Sequence, residues 1–208
     1  MININCVVVG MIETNCYLVY DDEIKDVIIV DPGDRGDYIV KCIKGADLTP
    51  KAIFLTHGHF DHITGIPGIL AEYPDLPIYV HEADVSMLED GQPMMGGGVK
   101  INLTDKDVIL HGGETIEAAG MTFEVIYTPG HTKGSICFYN AEGNFLLAGD
   151  TMFFHSWGRT DFPGGSEREI MDSIHNKLLP LPEETVVLPG HERTTSIAEE
   201  RKVHRFNA

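Results

Sequence analysis

Short apolar segments rich in Val, Ile and Phe recur along the whole chain, separated by Gly, Pro and Asp. Each is three to six residues long, a length that is typical of β-strands and short for a helix. Several contain no polar residue, which is typical of strands that are buried on both faces. The predicted strands cover residues 6–9, 16–20, 27–30, 52–55, 77–80, 108–110, 122–127, 135–139, 145–148 and 185–188.

Helical patterns fall between these strands. Residues 34–44 place three β-branched side chains on one helical face. Residues 166–169 have the sequence Ser-Glu-Arg-Glu of a helix-capping box, and Pro180 marks the end of the helix that follows. The same spacing of Ser and Glu, starting at Ser196, predicts a last short helix. The alternation of strands and helices predicts an α/β fold in which helices cover the faces of a sheet.

The stretch 90–98 fits neither pattern, because it holds four Gly and one Pro among nine residues. One interpretation is a surface loop. The other is a lid, in which Met94 and Met95 close over an apolar part of a substrate. The second interpretation makes these two methionines candidate substrate-binding residues.

The composition is that of a globular protein, with 43% hydrophobic and 23% charged residues. The length of 208 residues predicts one compact domain that spans residues 1–208. The formal net charge of −17 comes from 32 Asp and Glu against 15 Lys and Arg. Such a surface repels phosphate groups, so we expect neither nucleic acid nor an anionic membrane as a partner. The sequence leaves the oligomeric state open.

The N-terminal segment has neither the basic start nor the long apolar stretch of a secretory signal, and its first Lys is Lys25. No apolar segment is long enough to span a membrane. The four cysteines are spaced too irregularly for a zinc knuckle or a CxxC redox pair, so we predict reduced thiols. Together these observations predict a cytoplasmic protein.

Five of the predicted strands are followed within four residues by His or Asp. These residues are Asp31, His57, His131, Asp150 and His191, and Gly or Pro stands at four of the five turns. In open α/β sheets, ligands collect at the edge formed by the carboxyl ends of the strands. The pattern therefore predicts a polar site at one edge of the fold.

Residues 57–62 place four side chains that can bind a metal within six positions. His57 and His59 are two apart on an extended segment, so they point the same way and can hold one ion. Asp61 and His62 leave the chain in a different direction and suit a second ion. The candidate ligands are His57, His59, Asp61, His62, His131, Asp150 and His191. A set of nitrogen and oxygen ligands without a thiolate suits Zn²⁺, Fe²⁺ or Mn²⁺, and zinc is our first expectation.

Six short motifs occur in order between residues 14 and 192. They are Thr-Asn-Cys-Tyr at 14–17, Asp-Pro-Gly at 31–33, Thr-His-Gly-His-Phe-Asp-His at 56–62, Pro-Gly-His-Thr at 129–132, Gly-Asp-Thr at 149–151 and Pro-Gly-His-Glu at 189–192. Together they resemble the metallo-β-lactamase superfamily, whose signature is HxHxDH. The resemblance implies a four-layer αββα sandwich of the metallo-β-lactamase type, with two metal ions between its sheets.

The same resemblance implies a division of the ligands between two ions. The first set is His57, His59 and His131, and the second is Asp61, His62 and His191. Asp150 is implied as the bridge between the ions, and Asp31 as a residue that supports the ligand loops.

Residues 156–165 resemble a loop of the compact glyoxalase II-like (hydroxyacylglutathione hydrolase-like) members of that superfamily. The resemblance implies a hydrolase in which a metal-bound hydroxide attacks the carbonyl of a small thioester or ester. Asp61 and Asp150 are the candidate catalytic residues, with Asp61 a weak candidate for an acid. Glyoxalase II proper continues into a helical domain that holds glutathione, whereas this sequence ends 17 residues after His191. We therefore expect weak binding of glutathione thioesters.

Two basic residues are candidates for contacting an anionic part of a substrate. Arg159 directly follows the Ser-Trp-Gly segment 156–158, and Lys133 lies two residues after His131. For Arg159 a structural salt bridge is an equal alternative.

Two other functions stay open at this point. One is a mononuclear non-haem iron enzyme that resembles the persulfide dioxygenases, which share most of these side chains. The other is a metal-binding module without catalytic activity. A full set of ligands favours an enzyme, and the number of metal ions per chain separates the first two functions.

Overall fold

The computed structural model describes residues 1–92 and 98–204. Within them, two six-stranded sheets form the centre of the molecule. The first sheet contains β1 (Ile2–Val9), β2 (Thr14–Asp21), β3 (Asp26–Val30), β4 (Thr49–Phe54), β5 (Ile78–His81) and β6 (Val108–Leu110) in that order. The second contains β7 (Thr115–Ala118), β8 (Met121–Tyr127), β9 (Ile136–Asn140), β10 (Phe145–Gly149), β11 (Val186–Pro189) and β12 (Thr195–Ser196), also in chain order.

The two sheets differ in strand direction. In the first, β1 to β3 are antiparallel, whereas β3 to β6 pair in parallel. In the second, β10 and β11 are parallel and the other neighbours are antiparallel. All ten strands predicted from the apolar segments are present. Parallel pairing explains why the segments 27–30, 52–55 and 145–148 carry no polar residue, since helices or the other sheet cover both faces.

Helices cover the outer faces of both sheets. They are α1 (Gly36–Gly45), α2 (Phe60–Ile63), α3 (Ile66–Glu72), α4 (Val85–Asp90), α5 (Glu167–Ser173) and α6 (Ile197–His204). The predicted helix over 34–44 corresponds to α1, and the capping box begins α5, where Ser166 accepts a hydrogen bond from the Glu169 backbone. A turn of π-helix, Ile174–Leu178, continues α5 up to the predicted stop. The last predicted helix is α6.

Strand β3 shows how the layers are built. Val27 and Ile29 pack in a cluster that includes side chains of α1 and α3, whereas Ile28 and Val30 pack between the two sheets. Because successive side chains of a strand point to opposite faces, this alternation buries both sides of the sheet. A third cluster joins β10 and β11 to α5 and α6. The fold is therefore the four-layer αββα sandwich implied by the motifs.

Aromatic side chains hold the sheets together. Phe54 of β4 stacks on Phe138 of β9 at 4.6 Å between ring centroids and meets the edge of Phe123 of β8 at 5.5 Å. All three are fully buried. These contacts hold β4 of the first sheet against β8 and β9 of the second, and the loops that follow β4 and β8 carry candidate ligands.

Across the described residues, no helix has the length and apolar character needed to cross a membrane. Met94 and Met95, the two methionines of the predicted lid, lie outside the described residues.

Candidate metal centre and its pocket

The structure brings all seven predicted ligands together at one edge of the sandwich. The loop after β4 carries His57 and His59, and the short helix α2 carries Asp61 and His62. The remaining three ligands follow strands of the second sheet, His131 after β8, Asp150 after β10 and His191 after β11. The strand ends therefore position the site, as the pattern of polar residues after apolar segments predicts.

The ligand atoms form three overlapping groups, in each of which they lie within 4.8 Å of one another. The groups are His57, His59 and His131; His57, His62 and Asp150; and Asp61, His62 and His191. The first and third are the two sets that the family resemblance implies. The second group shares one histidine with each of the others and contains Asp150, the residue that the resemblance implies as the bridge.

The Asp150 carboxylate contacts histidines of both sets. One of its oxygens lies 3.5 Å from Nε2 of His131 and 3.5 Å from Nε2 of His191. The other lies 3.4 Å from Nε2 of His62. A carboxylate that contacts histidines of both sets is placed to contribute to a metal site on either side.

Two buried atoms test whether the site fits a metal. Nε2 of His57 and Oδ1 of Asp150 are buried and have no hydrogen-bond partner. Buried polar atoms nearly always have a partner, so two such atoms facing one cluster call for an explanation. Five imidazoles and two carboxylates are the ligand types that Zn²⁺, Fe²⁺ and Mn²⁺ accept. The residues present therefore fit divalent metal ions.

The electrostatics of the cluster also suit a cation. Burial lowers the pKa of His62, but the carboxylates of Asp150, Asp61 and Asp31 outweigh it and raise that pKa well above its usual value. Burial, followed by the imidazole of His131, lowers the pKa of His59 to about 3. His59 is therefore neutral at physiological pH, the state in which an imidazole binds a metal.

Backbone carbonyls determine which nitrogen of two histidines faces the cluster. Nδ1 of His131 lies 2.7 Å from the carbonyl oxygen of Arg159, and Nδ1 of His191 lies 3.0 Å from that of Ile12. A carbonyl only accepts, so each Nδ1 carries the proton and each Nε2 presents its lone pair to the site.

Asp31 supports the loop that leads into the first two histidines. Its carboxylate accepts hydrogen bonds from the backbone N–H and the hydroxyl of Thr56, at 2.8 and 2.6 Å. The second of these oxygens also lies 3.0 Å from Nδ1 of His62. Its position agrees with the supporting role that the resemblance implies.

Sequence reasoning missed Asp84, which joins the two loops of the first ligand set. The buried carboxylate accepts hydrogen bonds from the N–H groups of Gly58 and Gly134, at 2.9 and 2.8 Å, and from the Thr132 hydroxyl at 2.7 Å. Gly58 stands between the first two histidines, and Thr132 follows His131 directly. The only signal in the sequence is an Asp three residues past a strand, which is too common to identify such a link.

A cavity of about 540 Å³ opens above the cluster. Besides ligands, its lining consists of Ile12, Glu13, Phe60, Phe153, Arg159, Phe162 and Glu192. Of the four predicted substrate-binding residues, Arg159 lies in this lining, whereas Lys133 is exposed and lies outside it. The two methionines belong to the undescribed stretch 93–97.

Comparison with known proteins agrees with this geometry. Residues 9–191 match the profile of the metallo-beta-lactamase superfamily. The chain belongs to this superfamily of metal-dependent hydrolases. Hydroxyacylglutathione hydrolase GloC of Haemophilus influenzae is 33% identical over 210 residues, which cover 98% of this chain and 97% of GloC. This similarity is consistent with the compact glyoxalase II-like subgroup.

Two solved structures share the whole fold. BLEG-1, a B3 metallo-beta-lactamase, has a TM-score of 0.91 at 35% identity, covering 98% of this chain and 99% of BLEG-1. TTHA1623 in a di-iron-bound form has a TM-score of 0.85 at 33% identity, with 97% and 99% covered.

Proposed function

We propose that this protein is a dinuclear metal-dependent hydrolase of small thioesters or related esters. The observation that carries the proposal is the position of Asp150 between two sets of ligand atoms, at the base of a cavity of about 540 Å³. The proposed partner is a small acyl compound, with neither nucleic acid nor membrane involved. Zinc is the metal that we propose, with iron or manganese as substitutes.

Two bound divalent ions would lower the pKa of a shared water to about 7 and polarise the substrate carbonyl. His57, His59 and His131 would hold one ion, and Asp61, His62 and His191 the other. Asp150, which contacts histidines of both sets, would be the bridging ligand that the family resemblance implies. The carbonyls behind His131 and His191 hold both rings in the orientation that this requires.

Asp61 acts as an anionic ligand in this proposal. Burial opposes its ionisation, but the imidazoles of His62 and His191 outweigh burial and hold the Asp61 pKa below its usual range. Its carboxylate is therefore ionised at neutral pH and has no proton to donate. A thiolate leaving group needs little protonation, which favours thioesters over esters with a poor leaving group.

The test is metal analysis together with a substrate panel. Protein purified with added Zn²⁺ should hold close to two ions per chain and hydrolyse a simple thioester. His191→Ala should hold about one ion and lose at least about 100-fold in kcat/KM. The matched control is His111→Ala, since His111 is an exposed histidine that pairs with Glu82 away from the site.

The other functions give different results in the same experiment. A β-lactam belongs in the panel because BLEG-1 is a B3 metallo-beta-lactamase. One ion per chain that does not increase with added Zn²⁺ or Mn²⁺, with oxygen uptake on a persulfide, would indicate the dioxygenase instead. Two ions without turnover of any substrate would contradict the proposed hydrolase.

A further inference from the structure

The walls of the cavity above the metal centre are apolar and acidic. Ile12, Phe60, Phe153 and Phe162 supply its apolar surface. Each of the three phenylalanines is partly exposed, although aromatic side chains usually lie inside a protein. Partly exposed aromatic rings around a concave site are typical of a surface that binds an apolar group.

Arg159 is the one cation among the described lining residues, and its charge is already paired. Its Nε and Nη2 atoms each donate a hydrogen bond of 2.7 Å to the Asp161 carboxylate. Its guanidinium also lies 3.8 Å above the Phe162 ring. These two hydrogen bonds occupy the Nε/Nη2 edge of the guanidinium, and the Asp161 carboxylate offsets its positive charge, so Arg159 attracts an anion less than an unpaired arginine would.

Two glutamates line the same cavity. Glu13 lies at the turn between β1 and β2, and Glu192 follows His191 directly. The Asn15 side chain donates a hydrogen bond of 2.9 Å to the carbonyl of Glu192 and one of 3.0 Å to that of Pro189. These bonds hold the hairpin against the loop of the last ligand, so both glutamates lie along the cavity, where they are exposed to solvent.

We infer that this cavity selects thioesters whose acyl and thiol parts are apolar and carry no negative charge. This inference rests on the proposed function. An anionic substituent would lie beside two glutamates and a paired arginine, on a protein with a net charge of −17. Both the glutamates and the net charge would repel it. An uncharged apolar substituent would instead replace water on the phenylalanine rings.

The first experiment compares three butyryl thioesters that differ in thiol charge. Their thiols are N-acetylcysteamine (neutral), thiocholine (cationic) and 3-mercaptopropionate (anionic), and each rate is divided by the rate of hydrolysis in hydroxide. We expect kcat/KM for the anionic thioester to be at least about fivefold below that for the neutral one. High salt should reduce the difference, because it screens exposed charges. Lengthening the acyl chain from acetyl to hexanoyl should raise kcat/KM by about threefold per methylene.

A pair of variants distinguishes the effect of a charge near the cavity from the effect of the net charge of the whole protein. Asp161→Asn removes the partner of Arg159 and should raise kcat/KM for the anionic thioester by about two- to fivefold, with the neutral thioester unchanged. Asp105→Asn is the matched control, because it changes the net charge by the same amount at an exposed position outside the cavity lining. An equal effect of both substitutions would contradict the assignment.

Binding distinguishes a failure of this inference from a failure of the proposed function. The non-hydrolysable thioethers of the neutral and anionic compounds are titrated into the metal-loaded protein by calorimetry. Weaker binding of the anionic thioether supports the inference even if no thioester is hydrolysed, in which case the proposed function alone fails. Equal or tighter binding of the anionic thioether overturns the inference.

Discussion

Asp84→Asn tests the hydrogen-bonded link between the two loops of the first ligand set. The substitution preserves the size of the side chain but replaces one acceptor oxygen with an NH₂ donor. If the amide oxygen keeps the donors Gly58 and Thr132, its NH₂ group faces the N–H of Gly134. In the other orientation, two hydrogen bonds are lost. Either way, at least one buried donor is left without an acceptor.

The magnitude follows from the number of bonds and from burial. A hydrogen bond to a charged group contributes about 1.5–3 kcal/mol, and an orphaned buried donor costs about 1–3 kcal/mol. Burial raises the pKa of Asp84 against the pull of its three hydrogen bonds, so the carboxylate itself is costly to bury. Removing its charge recovers part of that cost. We expect a decrease of about 2–3 kcal/mol in the free energy of unfolding of the metal-free protein.

Urea denaturation in the presence of a chelator measures this decrease, and an unchanged m-value shows that the native state keeps its compactness. Asp107→Asn is the matched control. Asp107 also accepts two backbone N–H groups and a threonine hydroxyl, from Ile78 and Thr104, but at a partly exposed loop. It should reduce stability by about 1 kcal/mol or less.

Metal binding provides the second measurement. Because Asp84 orients the loops of His57, His59 and His131, Asp84→Asn should weaken binding of one of the two ions by about 10- to 100-fold. Asp107→Asn should bind both ions normally. If Asp84→Asn is no less stable than Asp107→Asn and binds both ions with unchanged affinity, Asp84 does not link the two loops as described.

Three further predictions concern other parts of the molecule. Asp150→Ala should abolish hydrolysis and lower the content of both ions, because the bridging carboxylate contacts both ligand sets; elemental analysis that still finds two ions would exclude the bridge. Replacing Met94 and Met95 with Ser should raise KM and leave kcat nearly unchanged, because only substrate binding is lost. A fall in kcat at full metal content would instead mean that these residues help to arrange the catalytic groups. Cys16 and Cys137 should resist alkylation at about pH 8 until the protein unfolds, because only the thiolate reacts. Burial raises the pKa of both thiols, that of Cys137 to about 11. Mass spectrometry of the labelled native protein measures the reaction.

Much of the fold could be predicted because its signals are local. All ten apolar segments form strands. Those of β3 and β10 are buried on both faces, which leaves no room for polar residues within them. Strands β7 and β12 were missed because one mixes polar and apolar residues and the other has only two residues. Helix α3 was missed because Pro67 and Gly68 stand in its first turn, where Pro is tolerated.

The ligand residues were predictable for the same reason. Residues 57–62 are close in sequence, so their spacing alone indicates a metal site. Local patterns were therefore enough to predict the alternation of strands and helices, the edge that carries the site and the chemical type of its ligands.

Tertiary structure alone decided how those ligands are oriented and what surrounds them. The carbonyl that orients His191 belongs to Ile12, 179 positions away, and the link from Asp84 reaches Gly134 over 50 positions. Such contacts leave no local pattern, because a hydrogen bond depends on where the folded backbone places two atoms and not on their separation along the chain. Arg159 and Asp161 are only two residues apart and form an ion pair. The same sequence would also allow an unpaired guanidinium that faces the cavity. Only the folded geometry distinguishes the two, because only it determines which carboxylate the guanidinium meets.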